Sequence, residues 1–239
     1  MIGSVYKALQ ILEAFTVEQP LMSLSLISKK LGYPKTTVFT LLKTLEAKGY
    51  IEQIDQGTYC LGTAPLLLTQ TVRVNVQIRD RSAPVLRRLA DRTNQTVYLG
   101  IPDGGYCLYL YAIETSQRLM ARSAVGMRMP FGCSALGKAM LAFLADTSLV
   151  PELPGNRVLE EELVQTKANG YAIDDAVLVP GIHCVAVPIL DQAGKSVASV
   201  SLSGNSARLV HEELGIYLSY LREAAGEIRC LLGYIPSLL

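Results

Sequence analysis

The chain has 239 residues, half of them apolar, with 22 Lys and Arg set against 21 Asp and Glu. That length allows one or two domains, and a formal charge of +1 excludes a protein that binds polyanions over its whole surface. Five cysteines, odd in number and without a C-x-x-C pair, exclude a disulfide framework or a zinc module, and no apolar run approaches the ~20 residues of a membrane span.

A mean hydropathy of +0.29 is high for a monomer and predicts apolar surface buried between subunits. Lys7 and Glu13 sit in an amphipathic pattern, not in the apolar core of a signal peptide, so a reducing cytoplasm is expected.

In chain order, Val5, Ala8, Leu9, Leu12 and Phe15 form a helical stripe over 4–15, expected to pack on the two helices that follow. Leu24, Ile27 and Leu31 share one face of the next helix, with Ser23 as its N-cap and Gly32 in the turn beyond it. Val38, Leu41, Leu42 and Leu45 mark a third helix, which Gly49 ends. Pro34 suits its first turn and Thr36 suits its N-cap, and the pattern leaves both open. Strands at 50–54 and 58–61 flank a hairpin turn at Asp55-Gln56-Gly57. Three helices and a hairpin in this order make a winged helix-turn-helix, with Gln56 or Thr58 at the wing tip to reach phosphate.

The third helix leaves Lys35, Thr36, Thr37, Thr40 and Lys43 off its apolar face, crowded toward its N-terminal half. A helix seated in a DNA major groove needs that inventory of short hydrogen-bonding side chains and cations. Any solvated helix can show the same face, and local charge separates the two readings. Between residues 29 and 48, Lys29, Lys30, Lys35, Lys43 and Lys48 stand against Glu46 alone, a net +4 that the near-neutral total conceals.

A helical connector follows, one helix starting at Pro65 and running through 66–76, another over 78–93 with Val85, Leu86, Leu89 and Ala90 apolar. Arg79, Arg81, Arg87, Arg88 and Arg92 read as a solvated face with Asp80 and Asp91 as acid partners. Beyond 95 the pattern predicts strands at 96–101, 106–113, 118–124, 170–174, 182–190 and 196–203. It also predicts helices at 134–144, 160–169 and 209–232. Strand pairs joined by tight turns at 102–105 and 191–194 give an antiparallel sheet with helices on it, an α+β domain.

Catalytic motifs fail on inspection. Leu136 stands where a G-x-S-x-G elbow at Ser134 needs its second glycine, and Ile189 stands where a P-loop ending at Gly194-Lys195-Ser196 needs its first. His183 and Cys184 are neighbours in a strand and point to opposite faces, so they cannot act as base and nucleophile. His211, at the start of the last helix, reads as a surface residue. With only these two histidines, a zinc site or a catalytic triad is poorly supplied, and neither an enzyme nor a cofactor is expected.

A binding pocket is better supported. Ser201 and Ser203 project from one strand face, and the 191–194 turn makes their strand the neighbour of the one carrying Cys184 and Ala186. Asp174 ends the strand before, and the helix starting at Ser134 offers the N–H groups of Ala135 and Leu136 to a carboxylate. Buried hydroxyls satisfied by backbone are the plainer reading of the same residues.

Both halves resemble the IclR family of bacterial transcription regulators. The N-terminal half does so through Ala8-Leu9-Gln10-Ile11-Leu12, the run from Leu31-Gly32 through Thr37-Val38, Gly49-Tyr50 and Tyr59-Cys60-Leu61-Gly62. The C-terminal half does so through Gly137-Lys138-Ala139, Gly170-Tyr171-Ala172 with Asp174, Gly181-x-x-Cys184-Val185-Ala186 and Ser201-x-Ser203-Gly204. The resemblance implies a winged-helix domain over 1–62, a linker helix over 63–77 and a GAF-like effector domain over 78–239. It implies a one-component regulator, read here as a repressor, that binds a double-stranded operator as a homodimer or tetramer and answers to a small organic acid. In relatives that sense glyoxylate or pyruvate an Asp, a Cys and two Ser hold the effector. The matching positions are Asp174, Cys184, Ser201 and Ser203, with the backbone at Ala135 and Leu136 facing the carboxylate.

Three departures stand out. Thr40 replaces the family's usual Arg and Phe39 its frequent His, which removes a bidentate reader of guanine and predicts a different base preference. Ala176-Val177 replaces the acidic run that usually follows Asp174-Asp175, and the segment 146–160 is shorter than is common.

Overall fold

The computed structural model describes residues 2–16, 19–55, 57–71, 73–114, 125–148, 150 and 155–234, with backbone alone for 69–71 and 73–77. The chain divides into two units, Met1–Val74 and Asn75–Leu239.

The first unit runs α1 (Gly3–Glu13), β1 (Met22–Ser23), α2 (Leu24–Leu31), α3 (Lys35–Ala47), β2 (Ile51–Gln53), β3 (Thr58–Leu61) and α4 (Ala64–Thr71). Its core gathers the periodic apolar residues Ile11, Phe15, Ile27, Val38 and Leu42, closed by Ile51 and Tyr59 from the hairpin. Ser23 caps α2 as expected, its Oγ accepting the Leu26 N–H at 3.2 Å. Pro34, in extended geometry, takes the N-cap position of α3, and Thr36 lies inside the helix, so neither sequence alternative holds as written. A two-residue strand not foreseen from sequence, β1, pairs with β3, so the wing is a three-stranded sheet in the order β1-β3-β2. The α1 stripe needs correction as well. Val5 and Leu9 are exposed, whereas Phe15 is buried as expected with Leu12 packed beside it, and Ile11 and Ala14, outside the stripe, are buried too. The helix is apolar on two sides, and only one of them packs.

The second unit holds most of α5 (Arg73–Thr93), then β4 (Thr96–Asp103), β5 (Tyr106–Ile113), β6 (Arg128–Pro130), α6 (Ala135–Leu141), α7 (Arg157–Asn169), β7 (Ala172–Asp175), β8 (His183–Leu190), β9 (Ser196–Gly204) and α8 (Leu214–Leu231). Its sheet is antiparallel throughout, in the order β6-β5-β4-β9-β8-β7. Alternation along each strand sorts the two faces. Val97, Leu99, Val185, Val187, Val200 and Leu202 pack with Leu86 and Leu89 of α5 and Leu221 and Ile228 of α8. Residues one position over, including Tyr98, Cys184, Ala186, Ser201 and Ser203, face the side that α6 covers.

Several boundaries move. The strand expected at 118–124 lies outside the described residues, and β6, unforeseen, pairs with β5. α7 starts at Arg157, three residues early, because Asn156 Oδ1 accepts the Leu159 N–H at 3.2 Å and caps it there. The last helix starts at Leu214 after a 3-10 turn at Ala207–Leu209, which leaves His211 ahead of it. The arginine face of α5 finds most of its partners on α8. Arg79 pairs with Asp80 as expected, but Arg88 grips Glu227 and Arg92 grips Glu223, each with both carboxylate oxygens in reach.

Candidate functional site

Two regions gather the predicted site residues. The first is α3. Lys35, Thr36, Thr40 and Lys43 are exposed and Thr37 is half-buried, while Val38 and Leu42 on the opposite side are fully buried. Thr40 Oγ donates to Thr36 O at 3.0 Å and Thr44 Oγ to Thr40 O at 3.0 Å. The hydroxyl protons are thus spent within the helix, and Thr40 presents lone pairs and a methyl outward. Lys43 is not loose either. Its Nζ lies 2.8 Å from Glu46 Oε2, donates to Gln53 Oε1 of β2 at 3.3 Å and stands 5.8 Å from the centre of the Phe39 ring. The bond from Glu46 raises its pKa above the ordinary lysine value.

Of the five lysines that make this region basic, Lys30 is exposed but held, donating to Ala14 O at 2.7 Å and Gln19 Oε1 at 3.2 Å. Lys29, Lys35 and Lys48 are exposed and make no ion pair among the described residues. The net charge is that of the sequence count, but two of the five ammonium groups are already hydrogen-bonded within the unit. Phe39, exposed between Lys35 and Lys43, adds an apolar face to this surface. At the wing, Thr58 N–H donates to Asp55 Oδ1 at 2.9 Å, and Gln56 lies outside the described residues.

The second region is a cavity of about 450 Å³ in the C-terminal unit. Register assembles its polar edge. Cys184 pairs with Ser203, Ala186 with Ser201, and Ser201 with Tyr98 across three adjacent strands. Ser203 Oγ donates to Cys184 Sγ at 3.0 Å. The start of α6 forms another edge through Ser134, Ala135 and Leu136. Ser134 Oγ accepts the Gly137 N–H at 3.1 Å and Ser134 O accepts the Lys138 N–H, while helix geometry gives Ala135 and Leu136 N–H no partner inside the helix. A close approach holds this edge in place: a Cβ on Gly137 would stand 2.3 Å from Phe131 O.

The remaining walls are apolar or aromatic. Tyr98 and Tyr109 meet edge to face at 5.5 Å, with Met127, Met129, Leu178 and Ile182 around them. Among the described residues the lining holds no carboxylate, lysine, arginine or histidine side chain. Burial pushes the Cys184 thiol up to about 11, partly offset by its bond from Ser203, and pushes the Tyr98 phenol up to about 12. Burial also raises Tyr109, against a hydrogen bond with Ser134. The described lining groups are consequently neutral at pH 7. A protonated thiol without an adjacent imidazole is no nucleophile, since His183 Nδ1 instead faces Asp175 Oδ1 at 2.5 Å and His211 Nε2 faces Asp175 Oδ2 at 3.1 Å.

Cys184, Ser201, Ser203, Ala135 and Leu136 therefore line one cavity, as the sequence reading grouped them. Asp174 stands apart from this group. It sits in register beside Cys184 and is buried, but it is not part of the cavity wall. Its Oδ1 accepts the N–H of Val177 at 2.9 Å and of Leu178 at 3.3 Å, so the carboxylate anchors the loop that carries Leu178 and Val179 to the cavity. The aromatic pair was missed in the sequence. Alternation alone puts Tyr98 on the same sheet face as Gly100, but only the β4–β9 pairing sets it beside Ser201.

Comparison with known proteins supplies a second line of evidence. Residues 4–55 match the model of the IclR helix-turn-helix domain, and residues 70–230 match that of the C-terminal domain of the bacterial transcriptional regulator IclR. The HTH-type transcriptional regulator XynR of Escherichia coli K12 is 34% identical over 248 residues, covering 98% of each chain. The crystal structure of Thermotoga maritima IclR is 30% identical, with a TM-score of 0.77, covering 98% of this chain and all of that one. An IclR homologue from Microbacterium hydrocarbonoxydans, solved in complex with 4-hydroxybenzoate, shares the fold at 20% identity and a TM-score of 0.83, over 96% of this chain and 99% of its own.

Proposed function

Because the chain belongs to the IclR family of DNA-binding transcription regulators, with a C-terminal effector domain, we propose that it is a repressor whose cavity binds a small organic acid and thereby alters operator binding. The observation that carries the reading is the pairing of an exposed Lys- and Thr-bearing face on α3 with a neutral, half-polar cavity in the second unit.

On the DNA side, Lys35, Thr36, Thr37, Thr40 and Lys43 are the operator contacts, with Lys35 and Lys43 on phosphate. Phe39 and the outward Thr40 methyl favour thymine-containing sites over the guanine contact that an arginine makes. A homodimer sets two such helices about 34 Å apart, or a multiple of that, along the duplex.

On the effector side, the acid head lies against the Ala135 and Leu136 N–H groups with Ser201 and Ser203 as hydroxyl partners, and Cys184 beside them. Asp174 acts through the loop it anchors. A cavity of about 450 Å³ is roomy for a two- or three-carbon acid, and its Tyr and Met walls suit a ring or branched body. The 4-hydroxybenzoate held by the Microbacterium homologue has that combination of head and body. With no cation among the described lining residues, the helix start is the group there that balances a carboxylate.

Isothermal calorimetry of the full chain against glyoxylate, pyruvate and 4-hydroxybenzoate tests this. The ring acid is expected to bind more tightly than the two smaller ones, and Ser201→Val to weaken it at least tenfold. Absence of heat with all three leaves a DNA-binding regulator with a ligand-independent second domain.

A further inference from the structure

The second unit has another hollow, with the opposite electrostatics. An open groove of about 430 Å³ runs between the end of α7, β8 and α8. Three cations line it, Lys167, Arg222 and Arg229, and no acid does. Three carboxylates that neighbour the groove in sequence have partners of their own. Asp191 Oδ1 accepts the Ala193 and Lys195 N–H groups of its own turn, Glu223 pairs with Arg92, and Glu227 pairs with Arg88. Among the described residues, then, three like charges share one groove without a counter-ion, an arrangement that is unfavourable until an anion joins it.

The two guanidinium groups are already aimed. Arg222 Nη2 donates to Asn169 O at 3.2 Å and Arg229 Nη2 to Asp191 O at 3.1 Å. One backbone bond orients each planar fork, and a guanidinium carries five N–H donors in all. Such forks recognise phosphate and carboxylate oxygens in pairs. Half-buried Phe143, Pro188 and Leu190 leave apolar surface open in the groove.

A second observation points the same way. Gly226 stands in the middle of the 18-residue helix α8 and lines the groove. Glycine weakens a helix interior, and packing within the subunit does not require it here, since an added Cβ would meet nothing within 4 Å. What the missing side chain does is keep the groove open beside Arg222 and Arg229.

We propose that this groove is a binding site for a small organic anion, separate from the effector cavity, with its phosphate or carboxylate head on Arg222, Arg229 and Lys167 and its apolar body on Phe143 and Leu190. The two hollows thus divide ligands by charge: the neutral cavity suits a mainly apolar acid, and the groove suits a charged head.

Calorimetry of the full chain with inorganic phosphate, phenyl phosphate and benzoate tests the proposal, and only binding that Gly226→Leu removes counts for the groove. Phenyl phosphate is expected to bind at least tenfold more tightly than inorganic phosphate, because only it covers that apolar surface. Benzoate against phenyl phosphate decides which head the site prefers. Arg222→Gln and Lys167→Gln should each weaken binding at least fivefold. Gly226→Leu should abolish it with helical content and Tm kept, because leucine favours the helix. Unchanged affinity in Arg222→Gln and Gly226→Leu, or no saturable heat with any probe, overturns the proposal. So does a change in sedimenting mass in these variants without a change in binding, which would assign the cations to acids of a second copy.

Discussion

The exposed face of α3 and the cavity under α6 recognise by opposite means. α3 carries its determinants on the outside of a small helical core, and its polar side chains face solvent beside Lys29 and Lys48. The cavity carries its determinants inside a six-stranded sheet, where burial keeps Cys184, Tyr98 and Tyr109 uncharged. The first gains affinity from charge and loses it with salt; the second gains affinity from shape, apolar area and a few placed hydroxyls. A site of the first kind tolerates imprecision, because phosphates lie all along a duplex. A site of the second kind depends on register, because a one-residue slip of β9 would turn Ser201 and Ser203 into the α5–α8 core.

The comparison breaks most visibly if the two regions fail together. Leu42→Ala empties a fully buried site in the small N-terminal core and is expected to cost about 3 kcal/mol there. Thermal unfolding should show that unit melting early, with DNA binding lost and heat of organic-acid binding retained. Gly137→Ala is the converse. Its Cβ would collide with Phe131 O, and a loss of about 2 kcal/mol is expected in the second unit. Acid binding should disappear from the calorimeter while binding of duplex to α3 persists.

Smaller changes sharpen the contrast. Lys35→Ala should weaken duplex binding about tenfold near 0.1 M salt and reduce the slope of log K against log salt by about 0.9, because one phosphate contact is lost. An unchanged slope in a fluorescence anisotropy series would remove Lys35 from the interface. Cys184 gives the mildest test. Its pKa is raised from the usual thiol value to about 11, so at pH 8 it is protonated and iodoacetamide should label exposed Cys230 well before it. The rate at Cys184 should climb only as pH passes 9 toward 11. In the same window the folded state holds a proton that the unfolded chain gives up, so stability should fall with rising pH.

How much of this was legible beforehand follows the same division. The helices of the first unit, the cap at Ser23 and the outward face of α3 are written in local spacing, and the family resemblance rests on contiguous motifs. The serines at 201 and 203 and the turn at 191–194 were also local, and they brought Cys184 with them. What escaped depends on distance. Tyr98 joins Ser201 only through a pairing of strands about a hundred residues apart, and the loop bearing Leu178 and Val179 reaches the cavity only because Asp174 turns its carboxylate to that loop's N–H groups. Strand position gave Asp174 its place beside Cys184 but could not give its rotamer. The lysine count had the same weakness, since Lys30 finds a backbone carbonyl and Lys43 a glutamine that a charge sum does not see.

The measurement that tests the account most directly couples the two regions. A fluorescent duplex selected from a random library is titrated with the full chain, with and without saturating amounts of the acid that calorimetry finds for the cavity. The account predicts that the acid shifts the apparent Kd for DNA at least fivefold and that Ser201→Val abolishes the shift without altering the acid-free Kd. An apparent Kd that stays the same while the cavity is demonstrably filled would contradict it.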